Sequence, residues 1–527
     1  MKKHLCAASL LLSALLSPAL AVSGPSQEEL NNADQATDSW LMYNKGYMGQ
    51  RYSPLDQVNA DNVSGLRRVC TFDTKDDGGF QATPQMYKGV LFFTQMYRTF
   101  AIDAATCKPL WVHKYKPTGT SVLTTNRGVA IADGVIYRGT PDAHLIALDA
   151  GTGKPLWDTK VADSSVGYFL SAAPVVYNGK VYIGEAGADW GIKAHMYAFD
   201  AKTGKKAWTF DLIPTGSQYG ANTWQKADST ATGGGSTWTS YTIDAATGML
   251  YVSVGNPAPD FAAQYRPGDN LFTNSVVALN AETGAYDHHY QQIRNDDKDY
   301  DTAAAPVLYD VNGQKRMAVA TKAGWLFSYD ETAKNQVFKQ ATIKVTNQEK
   351  PTTRAGLNIC PNYSAGTQWS GPSFDQLNNT LVVPTVDWCG VVKLGEVRLI
   401  KGQLFFGGSM QLDPAGKAIG NAVSFDAATG QERWRYSTPG VRIVGGVTTT
   451  GGNLTLGGAM DGTFFALDSR SGKVLFKDNI DGALIGGGVS TYTVGGQQYF
   501  AVIAGNTSKG AVSGKNVTGR VAIYTLK

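Results

Sequence analysis

Cysteine and histidine are sparse, five and six residues in a chain of 527. No Cys-x-x-Cys-His run occurs, which excludes a haem attached covalently to this chain, and no Cys/His cluster has metal-ligand spacing. Charged residues make up only 17%, and 47 Lys plus Arg nearly balance 43 Asp plus Glu, so the basic domain or stripe of a nucleic-acid binder is missing. After the first 21 residues no apolar run is long enough to form a membrane span. With 43% hydrophobic residues and so little charge, long disorder, collagen-like repeats and coiled coil are excluded as well.

What is present begins with a leader. Residues 1–21 carry two lysines, a short apolar run and Ala19-Leu20-Ala21, the small-x-small pattern of a signal peptidase site. This predicts export to the periplasm with cleavage after Ala21. Four cysteines follow the leader: Cys70, Cys107, Cys360 and Cys389. In an oxidising compartment they predict two disulfides; of three possible connectivities, pairing sequence neighbours is the simplest.

A strand-turn-strand phrase recurs through the chain, as in ALDAGTGKPLW (147–157), AFDAKTGKKAW (198–208) and SFDAATGQERW (424–434). In each, a buried strand runs into an Asp, the Asp and Thr side chains bond the turn, Gly takes positive φ, and a terminal Trp or Phe packs against the next unit. The Asp or Asn positions are 103, 149, 200, 280, 330, 426 and 468. Most intervals match one four-stranded propeller blade. The two long ones hold polar, Gly-rich stretches, 213–236 and 343–368, read as loops inserted on one face. Residues 477–527 carry no mark and need partners, which strands between Trp40 and Asp73 can supply. The expectation is an all-β, eight-bladed β-propeller of four-stranded antiparallel blades, closed by both chain ends, with seven blades as the fallback. Residues 22–527 then form a single domain, with one short helix over Gln27–Ala36.

Longer phrases carry a resemblance. WLMYNKGYMGQRYSPLDQVNADNVSGL near the start, TNRGVA (125–130), GGGSTW (233–238), SVGNPAP (253–259), RPGDNLFTNSVVALNAETG (266–284) and VDWCG (386–390) stand in an order that resembles the quinoprotein alcohol dehydrogenases. These are eight-bladed propellers that hold pyrroloquinoline quinone (PQQ) and a metal ion on the central axis.

The resemblance implies roles residue by residue. Trp238 is the floor beneath the quinone ring, since an indole face suits a flat, electron-poor tricycle. Its three preceding glycines would let backbone approach a ligand. Arg127 and Ser171 bind the cofactor, Arg127 through its carboxylates. Lys322 sits beside the reactive quinone oxygen. Asp189, Asn256 and Asp299 are oxygen ligands for Ca²⁺ or a lanthanide, and Asp301 matches the extra carboxylate of lanthanide-dependent members. Asp189 stands where the family has Glu, and Lys298 where it has Trp. Asp299 is the catalytic base. Ser121 and Val122 replace a cysteine pair that often roofs the quinone. Cys360 and Cys389 resemble another family disulfide. The implied activity is oxidation of an alcohol, small or polymeric, or a related hydroxyl or aldehyde, with electrons passing to a separate cytochrome c or similar carrier. The competing readings are a non-catalytic propeller scaffold, in which Trp238, Arg127, Asn256 and Asp299 do not converge, and a degenerate quinoprotein with weak cofactor binding.

Overall fold

The computed structural model describes residues 23–510 and 517–526; the leader lies outside them. Apart from short helical turns, the chain is built from β-strands in seven four-stranded sheets, one five-stranded and one three-stranded, among the described residues. The fold is an all-β propeller. Named strands pair antiparallel, most of them with a neighbour in sequence, except that Tyr52–Ser53 runs parallel to Thr448–Thr450. Burial follows position within a sheet. First strands such as Ala130–Ala132 and Val175–Tyr177 are short and fully buried, whereas the fourth, such as Pro155–Lys160, alternates exposed and half-buried residues.

The repeated phrase works as its chemistry predicts. Asp149 Oδ1 accepts from Thr152 N (2.8 Å) and Oγ1 (2.6 Å), and Asp200 and Asp426 hold Thr203 and Thr429 the same way. The terminal indole donates to the turn of the following unit: Trp111 to Ala150 O at 2.9 Å, Trp157 to Ala201 O at 3.1 Å and Trp208 to Ala281 O at 3.0 Å. The turn glycine lies on that same indole. A Cβ on Gly153, whose φ is +70°, would sit 2.5 Å from Trp111 Cε3. Where a unit ends in Trp, the next therefore docks on it by one indole bond, and Gly153 adds a side-chain-free contact on Trp111.

Both chain ends share a sheet: Leu66–Asp73 pairs with Arg520–Leu526, followed by Gln497–Ala504 and Val489–Val494. The helix is shorter than expected. Ser26 and Glu29 form a capping box at the start of Gln27–Asn31, and the chain then turns, with the Asn32 side chain bonding back to Glu28 O. The long insertion contributes Leu357–Ile359 to the three-stranded sheet, with Gly390–Leu394 and Gly408–Leu412. The disulfides are Cys70–Cys107 and Cys360–Cys389, the sequence-neighbour pairing.

Candidate active site

Topology collects the site. In an antiparallel sheet the start of the first strand lies beside the end of the second, as the pairing of Val175 with Tyr182 shows. Arg127, Ser171, Trp238, Asp299 and Asp301 precede first strands; Asp189, Asn256 and Lys322 follow second strands. All eight therefore lie at one end of their sheets. They converge on a cavity of about 200 Å³, lined by every one of them except Asn256. Asn256 stands directly behind: its Nδ2 donates to Asp189 Oδ1 at 3.3 Å and its main-chain N to Asp301 Oδ1 at 2.6 Å.

One wall is flat and cationic. Trp238 is half-buried, with the Arg127 guanidinium 4.5 Å and the Lys322 ammonium 5.5 Å from its ring centre. Arg127 Nη1 donates to Ser171 Oγ (3.1 Å) and Trp238 O (2.7 Å), and Nη2 to Gln81 Oε1 (3.2 Å). Its Nε, buried, has no partner. Burial pulls the Arg127 pKa down to about 10, which leaves the group charged at neutral pH. A Cβ on Gly234 would lie 2.7 Å from Asn256 O, so one of the glycines before Trp238 lets the chain approach the Asn256 turn closely.

The acids of the cavity gather around Lys322. The run Asp296–Asp301, which reads as a solvated charged loop, is buried, Asp299 at 5% and Asp301 at 2% exposure. Its side chains divide between two directions. Lys298, in place of the expected Trp, turns away from the cavity to pair with Asp297 and Lys350 O, while Asp297 Oδ2 accepts from Thr352 N at 2.7 Å. This clamps the loop to the inserted segment. Asp296 holds the amides of Lys298 and Tyr300, at 3.0 and 2.8 Å, and Asp299 adopts φ +59°. Asp299 and Asp301 thus face inward, where Lys322 Nζ lies 3.0 Å from Asp299 Oδ1 and 2.5 Å from Asp301 Oδ2. Burial, only partly offset by Lys322, holds the Asp299 carboxyl well above the usual range. Burial opposes charge on Lys322 too, but Asp299, Asp301 and Asp189 more than compensate and hold the ammonium protonated.

Asp189 reaches the cavity from a single turn, Ala188–Trp190. Burial, together with Asp301, raises its pKa. Glu185, four residues before Asp189, points elsewhere and accepts from Tyr197 OH (2.5 Å) and His195 N (2.6 Å). Gly255 is required beside Asp301: a Cβ there would sit 2.3 Å from Asp301 Oδ1.

Several residues escape the sequence reading. Trp369 lines the cavity with its ring centre 5.5 Å from the Arg127 guanidinium, and Lys509 brings a second cation whose pKa burial and Lys322 push down to about 8. Leu123 and Phe406 line the cavity where Ser121 and Val122 leave no cysteine pair. Asp260 presents a carboxylate within 4.8 Å of those of Asp189 and Asp299. Its signal was a lone acid in the apolar turn Ala258–Ala263, just past the GNP phrase. Arg266, from the RPGDN phrase, stitches this turn to the catalytic loop by donating to the main-chain oxygens of Pro259, Asp260 and Asp296.

The donor set fits both groups that the resemblance implies. Carboxylate and amide oxygens are suited to a hard cation. A half-exposed indole with an underused guanidinium beside it suits a flat, acid-bearing cofactor. The convergence of Trp238, Arg127, Asn256 and Asp299 is what the scaffold reading excludes.

Comparisons with known proteins agree. The family described as "Glucose/ethanol/alcohol dehydrogenase, beta-propeller domain" matches residues 40–348, and "Outer membrane protein assembly factor BamB" matches 419–521. Quinohemoprotein alcohol dehydrogenase ADH IIB of Pseudomonas putida is 30% identical over 96% of this chain and 79% of its own length. Quinoprotein alcohol dehydrogenase PedH of Pseudomonas putida is 29% identical over 96% and 92%. A europium-containing methanol dehydrogenase superposes with a TM-score of 0.86 at 26% identity, over 95% of this chain and 100% of that one. The chain therefore belongs to the PQQ-dependent (quinoprotein) alcohol dehydrogenase family, oxidoreductases that act on CH–OH groups.

Proposed function

We propose that this chain oxidises an alcohol, small or polymeric, or a related hydroxyl or aldehyde substrate, in the periplasm. The observation that carries this reading is the meeting of Asp299, Lys322 and Trp238 in one cavity, with the Asp189–Asn256–Asp301 oxygens beside them. Pyrroloquinoline quinone, when bound, supplies the acceptor for the hydride that leaves the alcohol carbon. Asp299 removes the hydroxyl proton through a side-chain oxygen, which lines the cavity beside Lys322. Lys322, held charged by its neighbours, stabilises negative charge that develops beside the Trp238 platform. Arg127 and Ser171 orient the cofactor, Arg127 by its carboxylates. Asp189, Asn256, Asp299 and Asp301 hold the cation, which is calcium or a lanthanide; one structural relative is named for europium.

The seven four-stranded sheets and the five-stranded one make eight blades, and the sheet shared by both chain ends closes the ring. The domain spans 22–527, behind a leader removed after Ala21. Electrons pass to a separate cytochrome c or a similar carrier. The test is a titration of purified protein with PQQ in the presence of Ca²⁺ or a lanthanide, followed by dye reduction with a panel of alcohols. A quinone spectrum that appears only with cation and bleaches with alcohol is expected. Absence of dye reduction with either ion and every alcohol would overturn the reading for those substrates.

A further inference from the structure

We propose that Asp260 is a fifth protein ligand of the cation, supplying a carboxylate where Asp189 is one methylene shorter than the family's glutamate. The inference rests on the cation centre described above and adds a residue outside its implied ligand set.

Geometry comes first. Asp189, Asp260 and Asp299 each offer a carboxylate oxygen within 4.8 Å of the other two, a separation that one ion can bridge with bonds of about 2.3–2.6 Å. The second observation is independent of that clustering. Asp260 is 0% exposed, and neither of its carboxylate oxygens has a hydrogen-bond partner. A carboxylate kept charged in that setting without donors costs several kcal/mol, a cost that a bound cation would offset.

The neighbouring cations are committed elsewhere. Lys322 bonds Asp299 and Asp301. Arg266, whose guanidinium is close by, donates to the Asp260 main-chain oxygen at 3.2 Å, to Pro259 O at 3.0 Å and to Asn270 Oδ1 at 3.0 Å. By fixing the main chain on both sides of the residue, these bonds set the Asp260 carboxylate in place without neutralising it. The adjacent amide is spent too, since Phe261 N donates to Phe406 O at 2.9 Å. A cation set between Asp189, Asp260 and Asp299 satisfies all three at once. Four carboxylates against two lysines, Lys322 and Lys509, still leave an excess of negative charge that would also favour a trivalent ion.

The test is binding of Tb³⁺ to the full mature chain without PQQ, followed by luminescence sensitised by the site tryptophans, for wild type and Asp260→Asn. The isosteric amide keeps one oxygen donor and removes the charge, and Tb³⁺ affinity is expected to fall by about 10- to 100-fold. Unchanged affinity in a variant of normal thermal midpoint overturns the assignment. Because the substitution could impair folding, anomalous diffraction from Tb³⁺-loaded wild-type crystals provides a second reading. An ion about 2.3–2.6 Å from an Asp260 oxygen supports the proposal, and one that touches Asp189, Asn256 and Asp299 but not Asp260 overturns it. Wild type that binds neither Tb³⁺ nor Ca²⁺ would instead overturn the whole cation centre, a result distinct from a loaded site that ignores Asp260.

Discussion

Lys322 Nζ lies 2.5 Å from Asp301 Oδ2, closer than its 3.0 Å contact with Asp299. One ammonium thus holds together two acids that the resemblance assigns to the metal. The protein's own cation and an arriving ion draw on the same oxygens, and Lys322 also faces the Trp238 ring.

This shared demand makes two effects of Lys322→Met run in opposite directions. Removing the buried positive charge that shares the Asp299 and Asp301 oxygens with the ion should let Tb³⁺ or Ca²⁺ bind at least several-fold more tightly. Turnover should nevertheless fall by about 10²- to 10³-fold, as loss of one charge-stabilising donor typically costs. Cation titration and steady-state dye reduction on the same preparation measure both; a loss of cation affinity would show that the lysine supports the ion site.

Asp299→Asn should keep bound quinone and lose its chemistry. The amide still fills the position at the φ +59° turn but cannot accept the hydroxyl proton. A drop of about 10²- to 10⁴-fold in turnover, with the cofactor spectrum preserved, is expected. Activity close to wild type would remove Asp299 from the mechanism.

The disulfide Cys360–Cys389 should matter to turnover as well as to stability. Tyr300, between the two cavity acids, donates its hydroxyl to Pro361 O at 2.7 Å, which ties the catalytic loop to the residue after Cys360. Replacing both cysteines by serine should lower stability by about 2–4 kcal/mol, read by denaturant titration. It should also reduce kcat more than it raises KM. Unaltered kinetics would show that the loop is held in place without the disulfide.

Gly153→Ala tests the docking of one blade on the next. The added methyl would meet Trp111 at 2.5 Å in a backbone region that L side chains disfavour. A loss of about 1–3 kcal/mol, the usual cost of overpacking, is expected in the unfolding free energy, without change in kcat. An unaffected midpoint would mean that the indole can shift without loss.

Much of the architecture could be read from the chain because its determinants are local. Asp149, Thr152 and Gly153 make their turn among themselves, and Trp157 repeats what Trp111 does one unit earlier. Phrases singled out Trp238, Arg127 and Asp299, which line one cavity, and Asn256, which stands behind it. The meaning of the run Asp296–Asp301 was not local. Contacts with Thr352, Lys350 and Pro361, far along the chain, join the local Asp296 bonds in turning Lys298 outward and Asp299 inward.

By itself, then, the sequence determined the repeating blade, the two disulfides and the family to which the chain belongs, because short-range turn chemistry and ordered phrases carry that information. Tertiary structure alone decided which acids share a cavity. Asp189, Asp260 and Asp299 are separated by tens of residues, and their approach within 4.8 Å depends on how successive sheets stack. Charge repulsion and burial act on distances in space, so the partnerless state of Asp260 has no trace in the order of residues along the chain.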